Sequence, residues 1–323
     1  MKILFTLGIP DDLIGHVSLQ QIQAGVAFPG NLPLIDALIA PLKARGWQAE
    51  YAYLGQPTEI NVAGADVIVN CICDASRQQR SLGMLQELIN KTGLPVSNTP
   101  AAMLASTRDR LSSYHDEEIR IPRTTRFAAS SSTLEEHLHS QGHRLPVLIR
   151  PTGAHGGKGL VKLAGGQVAT WQAAEDDYYV TDFIDFISPD GHYRKYRLIY
   201  AGGRLFRRHL MIGKEWLLDL ASREYMSRHP ELLAEEKAFI HGEGDVVADK
   251  LVRIFEHFGL DYGLVDYALD KNGLPIIFEL NGCFQLTGSL TAEQRPLLGY
   301  LEANNPDITA AILENIAARV RTR

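Results

Sequence analysis

The sequence predicts a mixed α/β protein: an N-terminal parallel α/β unit followed by two α+β units. Strand and helix patterns alternate over the first hundred residues, as crossover connections between parallel strands require. From about Arg123 the pattern changes to hairpins and short helices. The chain has 323 residues, 45% hydrophobic and 22% charged, enough for two or three packed units of ordinary globular composition.

Taken in order, residues 2–7 form a buried-strand pattern. Residues 9–30 are a long connection punctuated by glycine and proline, of the length ligand-facing loops have. Asn31 can cap a helix with Pro33 in its first turn, running to about residue 45 before Gly46. Residues 47–53 and 66–72 read as strands, 77–90 as a helix and 94–97 as a short strand. Ligands of such sheets sit beyond the carboxyl ends of strands, which places residues 8–12 and Cys73-Asp74 near a pocket. A helix over 101–114 carries Arg108 and Arg110. A strand, a helix (133–141), a strand (146–150), a glycine turn and a strand (159–163) follow. Residues 178–186 are a strand; 193–200 and 204–212 form a hairpin about Ala201-Gly202-Gly203. Residues 222–241 are polar and helical, and 245–258 form an amphipathic helix ended by Gly259. A last helix starts near Asp307, and there is no internal repeat. The expected units are 1–105, 106–180 and 181–323.

The net charge is −6 without a long basic run, which gives no footprint for nucleic acid. The one cationic cluster, Arg194, Lys195 and Arg197 with Arg204, Arg207 and Arg208, suits a small anion. No apolar stretch reaches membrane-spanning length, and the start is too short for a secretory signal. Cys71 and Cys73 lie two apart on one strand face, where a mutual disulfide is awkward; with Cys283 they are expected to be reduced, in a cytoplasmic protein.

Two motifs carry chemistry. Residues 264–269 and 274–280 read as strands joined by the turn Asp270-Lys271-Asn272-Gly273. Alternation places Glu279 and Asn281 on one face, with Asp266 on the partner strand. Magnesium takes one or two carboxylates together with nucleotide phosphates, so this oxygen set suggests a nucleotide-bound metal; alone, it is equally a turn with a solvated acidic face. The second motif, residues 151–159, is a strand–loop–strand flap holding Gly153, Gly156, Gly157 and Gly159. Its backbone N–H groups can turn toward phosphate, with charge from Lys158 and His155. Arg150 ends the preceding strand, and Arg110 belongs to the helix before it; the two can bracket phosphate.

This order resembles the ATP-grasp superfamily, which includes D-alanine–D-alanine ligase, glutathione synthetase and the ribosomal-protein glutamate ligases. The resemblance spans about residues 98–290 and implies an ATP-grasp fold, an N-terminal pre-ATP-grasp domain followed by two α+β halves clasping ATP. It implies ATP and Mg2+, the metal on Asp266, Glu279 and Asn281. Arg110 and Arg150 stand where the family has phosphate-binding lysines. Thr181, Asp182, Phe183 and Ile184 match the adenine segment, with backbone groups of Asp182 and Ile184 at the base edge. Asp185 or Asp190 would meet the ribose, and Arg207 or Arg208 would supply a transition-state cation. Two departures from the dipeptide ligases stand out: Leu264 replaces their arginine before the metal aspartate, and Gly282-Cys-Phe-Gln-Leu replaces their substrate loop.

The implied activity is ATP-dependent carboxylate–amine ligation through an acylphosphate, releasing ADP and phosphate. The expected partners are small-molecule or peptide carboxylates and amines, without nucleic acid or membrane; homodimers are frequent in the superfamily. A small-molecule kinase and a non-catalytic nucleotide-binding homologue remain alternatives. Cys283 stands close enough to the metal residues to touch a substrate, or is a small apolar filler.

Overall fold

The structure, a computed structural model, describes residues 1–25, 29–56, 60–154, 156–242, 247–286 and 290–321. His155 and the beginning of the helix predicted from residue 245 lie outside them.

The N-terminal unit contains β1 (Lys2–Gly8), α1 (Leu19–Gln23), α2 (Leu32–Ala44), β2 (Gln48–Leu54), β3 (Val67–Asn70), α3 (Gln79–Thr92) and β4 (Val96–Ser97). Its sheet is parallel with order β2-β1-β3-β4. As the sequence predicts, Asn31 caps α2, its side chain accepting from Leu34 N at 3.2 Å. In the connection after β1, Asp11–Leu13 make a 3-10 turn, and Ser18 and Gln21 form a capping box for α1.

The helix predicted over 101–114 is two short ones, α4 (Pro100–Ala105) and α5 (Arg108–Leu111). Ser106 and Thr107 divide them. Their hydroxyls donate to the carbonyls of Met103 and Leu104 at 3.2 and 3.3 Å, capturing acceptors a continuing helix would use.

The central unit has β5 (Thr124–Ala128), α6 (Leu134–Gln141), β6 (Val147–Pro151), β7 (Val161–Leu163), α7 (Gln167–Thr170) and β8 (Asp177–Asp182). These strands form an antiparallel sheet of order β5-β8-β6-β7. Its second sheet neighbour is built from β9 (Tyr193–Ala201), β10 (Arg204–Gly213), β11 (Tyr262–Leu269) and β12 (Pro275–Asn281), ordered β10-β9-β11-β12 and also antiparallel. The stretch predicted as one helix over 222–241 divides into α8 (Leu220–Ser227) and α9 (Pro230–His241) at Pro230, whose missing N–H cannot continue a helix. Then come α10 (Ala248–Phe258), α11 (Arg295–Leu298) and α12 (Asn305–Arg321). No described helix is long and apolar enough to cross a membrane.

Alternation sorts each strand into a core face and a cavity face. Val147, Ile149, Tyr178 and Val180 pack under α6, which turns Leu148, Arg150, Tyr179 and Thr181 the other way. Leu198, Tyr200, Val265 and Leu280 pack with α10 and the N-terminal unit. Arg197, Asp266 and Glu279 therefore face the central sheet, and a cleft opens between the two antiparallel sheets.

The cysteine expectation is corrected here. Cys73 and Cys283 are joined in a disulfide with Cα atoms 5.2 Å apart, across 210 residues of sequence. Sequence spacing examined Cys71 against Cys73, whereas the fold brings the end of the parallel sheet to the loop after β12. Cys71 is free and buried.

Candidate active site

A cavity of about 450 Å3 fills the cleft. Register builds its floor. His209 on β10 pairs with Arg197 on β9, Arg197 with Asp266 on β11, and Asp266 with Glu279 on β12, a row of four side chains across four strands. Arg197 donates from Nε and Nη2 to the two Asp266 oxygens at 2.6 and 2.7 Å. Arg108 of α5 donates to Glu279 Oε1 at 2.5 Å. Asp266 and Glu279 thus stand side by side, each already matched to a guanidinium.

Two β-bulges place these groups. One lies between Asp266 and Tyr267, opposite Glu279 and Ile277, making Phe278 the extra residue. Successive residues Ile277, Phe278 and Glu279 all reach the cavity, which regular alternation forbids. The other bulge lies between Arg207 and His209. It puts His209 opposite Arg197 and sends the two arginines elsewhere. Arg207 donates to Phe239 O at 2.8 Å. Arg208 reaches the carbonyls of Leu301 and Leu286. Neither lines the cavity; the cations of this sheet that do are Arg197 and Lys195, with His209 beside them.

At this end four cations, Arg108, Arg150, Lys195 and Arg197, surround two carboxylates. Burial disfavours ionisation of Asp266, but Arg197 and Lys195 overcome it and hold the carboxyl well below its ordinary range. In Glu279 burial is likewise overcome, chiefly by Arg108, and the net shift is downward. Burial, then the charge of Arg108, pulls Arg150 down to about 10. Its Nε is buried without a hydrogen-bond partner among the described residues. Burial and Arg197 also lower Lys195. His209 is lowered well below its ordinary value by burial and then Arg197, so it is neutral at pH 7; its Nε2 has no partner among the described residues. These desolvated cations favour an anionic ligand of several charges. Asp182 and Asp219 also line the cavity but spend oxygens on His143 Nδ1 (2.6 Å) and on the N-terminus of α8.

The other end is apolar: Phe183, Ile184, Phe186, Met211, Trp216, Leu218 and Phe278. Lys162 Nζ lies 3.4 Å above the Phe183 ring, which meets Trp216 edge-on. Thr181 lines the cavity. The Asp182 N–H donates to Arg123 O at 2.9 Å, so it is spent, and Phe183 N–H goes to Pro146 O. The Ile184 N–H has no partner among the described residues. Asp190, expected at the ribose, is exposed, away from the cavity and bonded to both terminal nitrogens of Arg194; Asp185 does not line the cavity either.

Of the glycine flap, Gly156 and Gly157 line the cavity, while Lys158 is exposed outside it. Gly153 has φ +73° and lies against the N-terminal unit, where a Cβ would meet Arg77 Cδ at 2.4 Å. Arg110 points outward; Arg108 takes the place expected of it. The signal was local: Arg108 stands three residues before Leu111, the buried residue of that helix, and shares its face.

Asn281 does not line the main cavity. It borders a smaller cleft beyond Glu279, walled by Cys73, Asp74, Ser76, Arg108 and Tyr179. Its Nδ2 donates to Glu279 at 3.2 Å and its Oδ1 accepts from Cys283 N at 2.8 Å. Among the described residues no group of three or more His, Cys, Asp or Glu could hold a metal ion. Asp266 and Glu279 are paired across β11 and β12, but both Asp266 oxygens accept from Arg197 and Glu279 Oε1 accepts from Arg108 and Asn281, so a cation there would have to displace those contacts.

Comparison with solved structures decides the fold. D-alanyl-alanine synthetase A from Vibrio cholerae is 14% identical with TM-score 0.59, covering 100% of this chain and 99% of its own. A RimK domain ATP-grasp protein from Sphaerobacter thermophilus is 16% identical with TM-score 0.54, covering 98% and 100%. The fold is the ATP-grasp fold. D-alanine–D-alanine ligase from Bacillus anthracis is 13% identical with TM-score 0.54, covering 100% of both chains. No family model and no curated protein matches the sequence. In the ATP-grasp arrangement seen here, the cleft between the two antiparallel sheets is the cavity just described.

Proposed function

We propose that this protein is an ATP-dependent carboxylate–amine ligase. The observation that carries the reading is the row of Arg197, Asp266 and Glu279 with Arg108, Arg150 and Lys195 at one end of a cavity whose other end is apolar. That division suits a triphosphate at the charged end and a base at the apolar end. Two solved proteins sharing the fold are D-alanine–D-alanine ligases. Their substrate is not carried over, because Leu264 and the Gly282–Leu286 segment depart from the dipeptide-ligase pattern.

In this reading a substrate carboxylate oxygen attacks the γ-phosphorus as the bond to ADP breaks, giving an acylphosphate. An amine nitrogen then attacks the acyl carbon, phosphate leaves with the bonding pair, and the amine loses its proton. Phosphoryl transfer depends on positioning and charge compensation more than on covalent help. Arg108, Arg150, Lys195 and Arg197 supply fixed positive charge against the phosphates. Asp266 and Glu279 would hold magnesium, which offsets charge on the phosphates when bound. Gly156 and Gly157 cover the cleft and limit water access to the acylphosphate.

A phosphate-release screen over amino acids and short peptides with Mg·ATP tests the reading, with Glu279→Ala as control. Phosphate and ADP appearing only when acid and amine are both present is the expected result. A stable phosphoester formed without an amine, or equal release by the control, overturns it.

A further inference from the structure

We propose that the Cys73–Cys283 bond is a reversible thiol–disulfide clasp that closes the smaller cleft beyond Glu279, opened by a dithiol reductant. The effect on catalysis rests on the ligase reading above; the clasp itself does not.

The bond joins two places that matter to the site. Cys73 directly precedes Asp74 at the carboxyl end of the parallel sheet, and Cys283 lies two residues beyond Asn281. Cys73, 8% exposed, lines the smaller cleft, and its partner Cys283 is half-buried. The backbone N–H of Cys283 holds Asn281 Oδ1, and Asn281 Nδ2 holds Glu279. Freeing Cys283 therefore loosens a chain of contacts ending on a carboxylate of the main cavity.

The seam between the units does not depend on the clasp. Asn98 N donates to Asp261 Oδ2 at 2.7 Å, Asn98 Nδ2 to Tyr262 O at 2.9 Å, and Tyr262 OH to Asn70 O at 3.0 Å. Reduction should loosen the turn from Asn281 to Cys283, while Phe284 and Leu286 stay in the core, Leu286 O stays bonded to Asn305 Nδ2 at 2.6 Å, and the units stay docked. Cys71 does not compete: it is 2% exposed and burial pushes its thiol up to about 12. In the reduction, one reductant thiolate attacks a sulfur of the bond and forms a mixed disulfide, releasing the other cysteine as thiolate. The second reductant thiol displaces the mixed bond. Two electrons and two protons pass from the dithiol to Cys73 and Cys283, and the reductant leaves as its own disulfide.

The test uses the full chain, isolated with alkylating agent and no reductant, then compared with and without dithiothreitol. The expected digest contains a peptide joining Cys73 to Cys283, and reduction adds two alkylation sites while Cys71 stays unlabelled in the folded protein. Hydrogen exchange at residues 282 and 283 should accelerate about tenfold on reduction and return on reoxidation, with Phe284, Leu286, β1 and β11 unchanged. Cys283→Ser should show the fast exchange at all times and ignore dithiothreitol, whereas Cys71→Ser should respond as wild type. With a ligase substrate in hand, reduction should raise KM for acid or amine about fivefold and leave KM for ATP within about twofold. No joined peptide even after mild oxidation, or a joined peptide whose reduction changes no exchange, overturns the clasp. Reversible exchange changes in a protein without ligase activity support the clasp and sink only the ligase reading.

Discussion

The two ends of the main cavity are built by different means. The charged end is set by strand register: Arg197, Asp266 and Glu279 are in-register neighbours on three adjoining strands. The apolar end is assembled from the segment after β8, the Trp216–Leu220 stretch and side chains exposed by a bulge. A sheet row resists displacement because moving one member disturbs a ladder of backbone bonds. Apolar walls specify shape and orientation loosely. Substitutions at the charged end should therefore damage turnover, and those at the apolar end should weaken nucleotide binding alone.

Glu279→Ala carries the largest expected effect: phosphate release falls about 100- to 1000-fold, the scale for losing one preorganised electrostatic group. Arg150→Met comes next. It should weaken ATP binding, read by calorimetry, about 30-fold, the loss expected for a desolvated charge that pairs with the ligand. Its melting temperature without ligand should not fall, because burial disfavours its charge and the guanidinium Nε has no hydrogen-bond partner among the described residues. A drop in stability would mean Arg150 serves the fold. Trp216→Ala should raise KM for ATP about fivefold with kcat within about twofold, separating the two ends. Arg110→Ala and Asp190→Asn should change either parameter less than about twofold, since both groups lie outside the cavity.

Acid should weaken the charged end. The Asp266 and Glu279 carboxyls are lowered in the folded protein, so their stabilisation is fully present above the unfolded values of about 4 and is lost as pH falls from there through the lower folded values. The urea midpoint should decline below about pH 4, and less steeply in Asp266→Asn. An equal slope in that variant would place the acid sensitivity elsewhere.

The sequence disclosed the charged hairpin because turn chemistry and period-two alternation are local properties. Asp266 and Glu279 do pair, and Lys195 and Arg197 share a face of β9 as their spacing requires. The resemblance points to Arg207 or Arg208, and alternation lets one of the two face the site; the bulge between Arg207 and His209, which nothing in the local sequence announces, turns both away. The resemblance points to Arg110, whereas Arg108 of the same short helix lines the cavity, because the break at Ser106 and Thr107 sets which face turns inward. The Cys73–Cys283 bond was invisible for another reason: it depends on how two units dock, 210 residues apart. The adenine-side expectation was half legible. Phe183 and Ile184 reach the cavity, but the Asp182 N–H is consumed by the carbonyl of Arg123, just before β5.

The extra residue at Arg208 has a consequence for comparing this chain with others of its fold. Column-by-column alignment with a strand that lacks the bulge would equate side chains that lie on opposite sides of the sheet. A single-codon insertion or deletion there can exchange an imidazole for a guanidinium over the ligand while the core stays as it was. In this strand, diversification need not proceed by replacing amino acids.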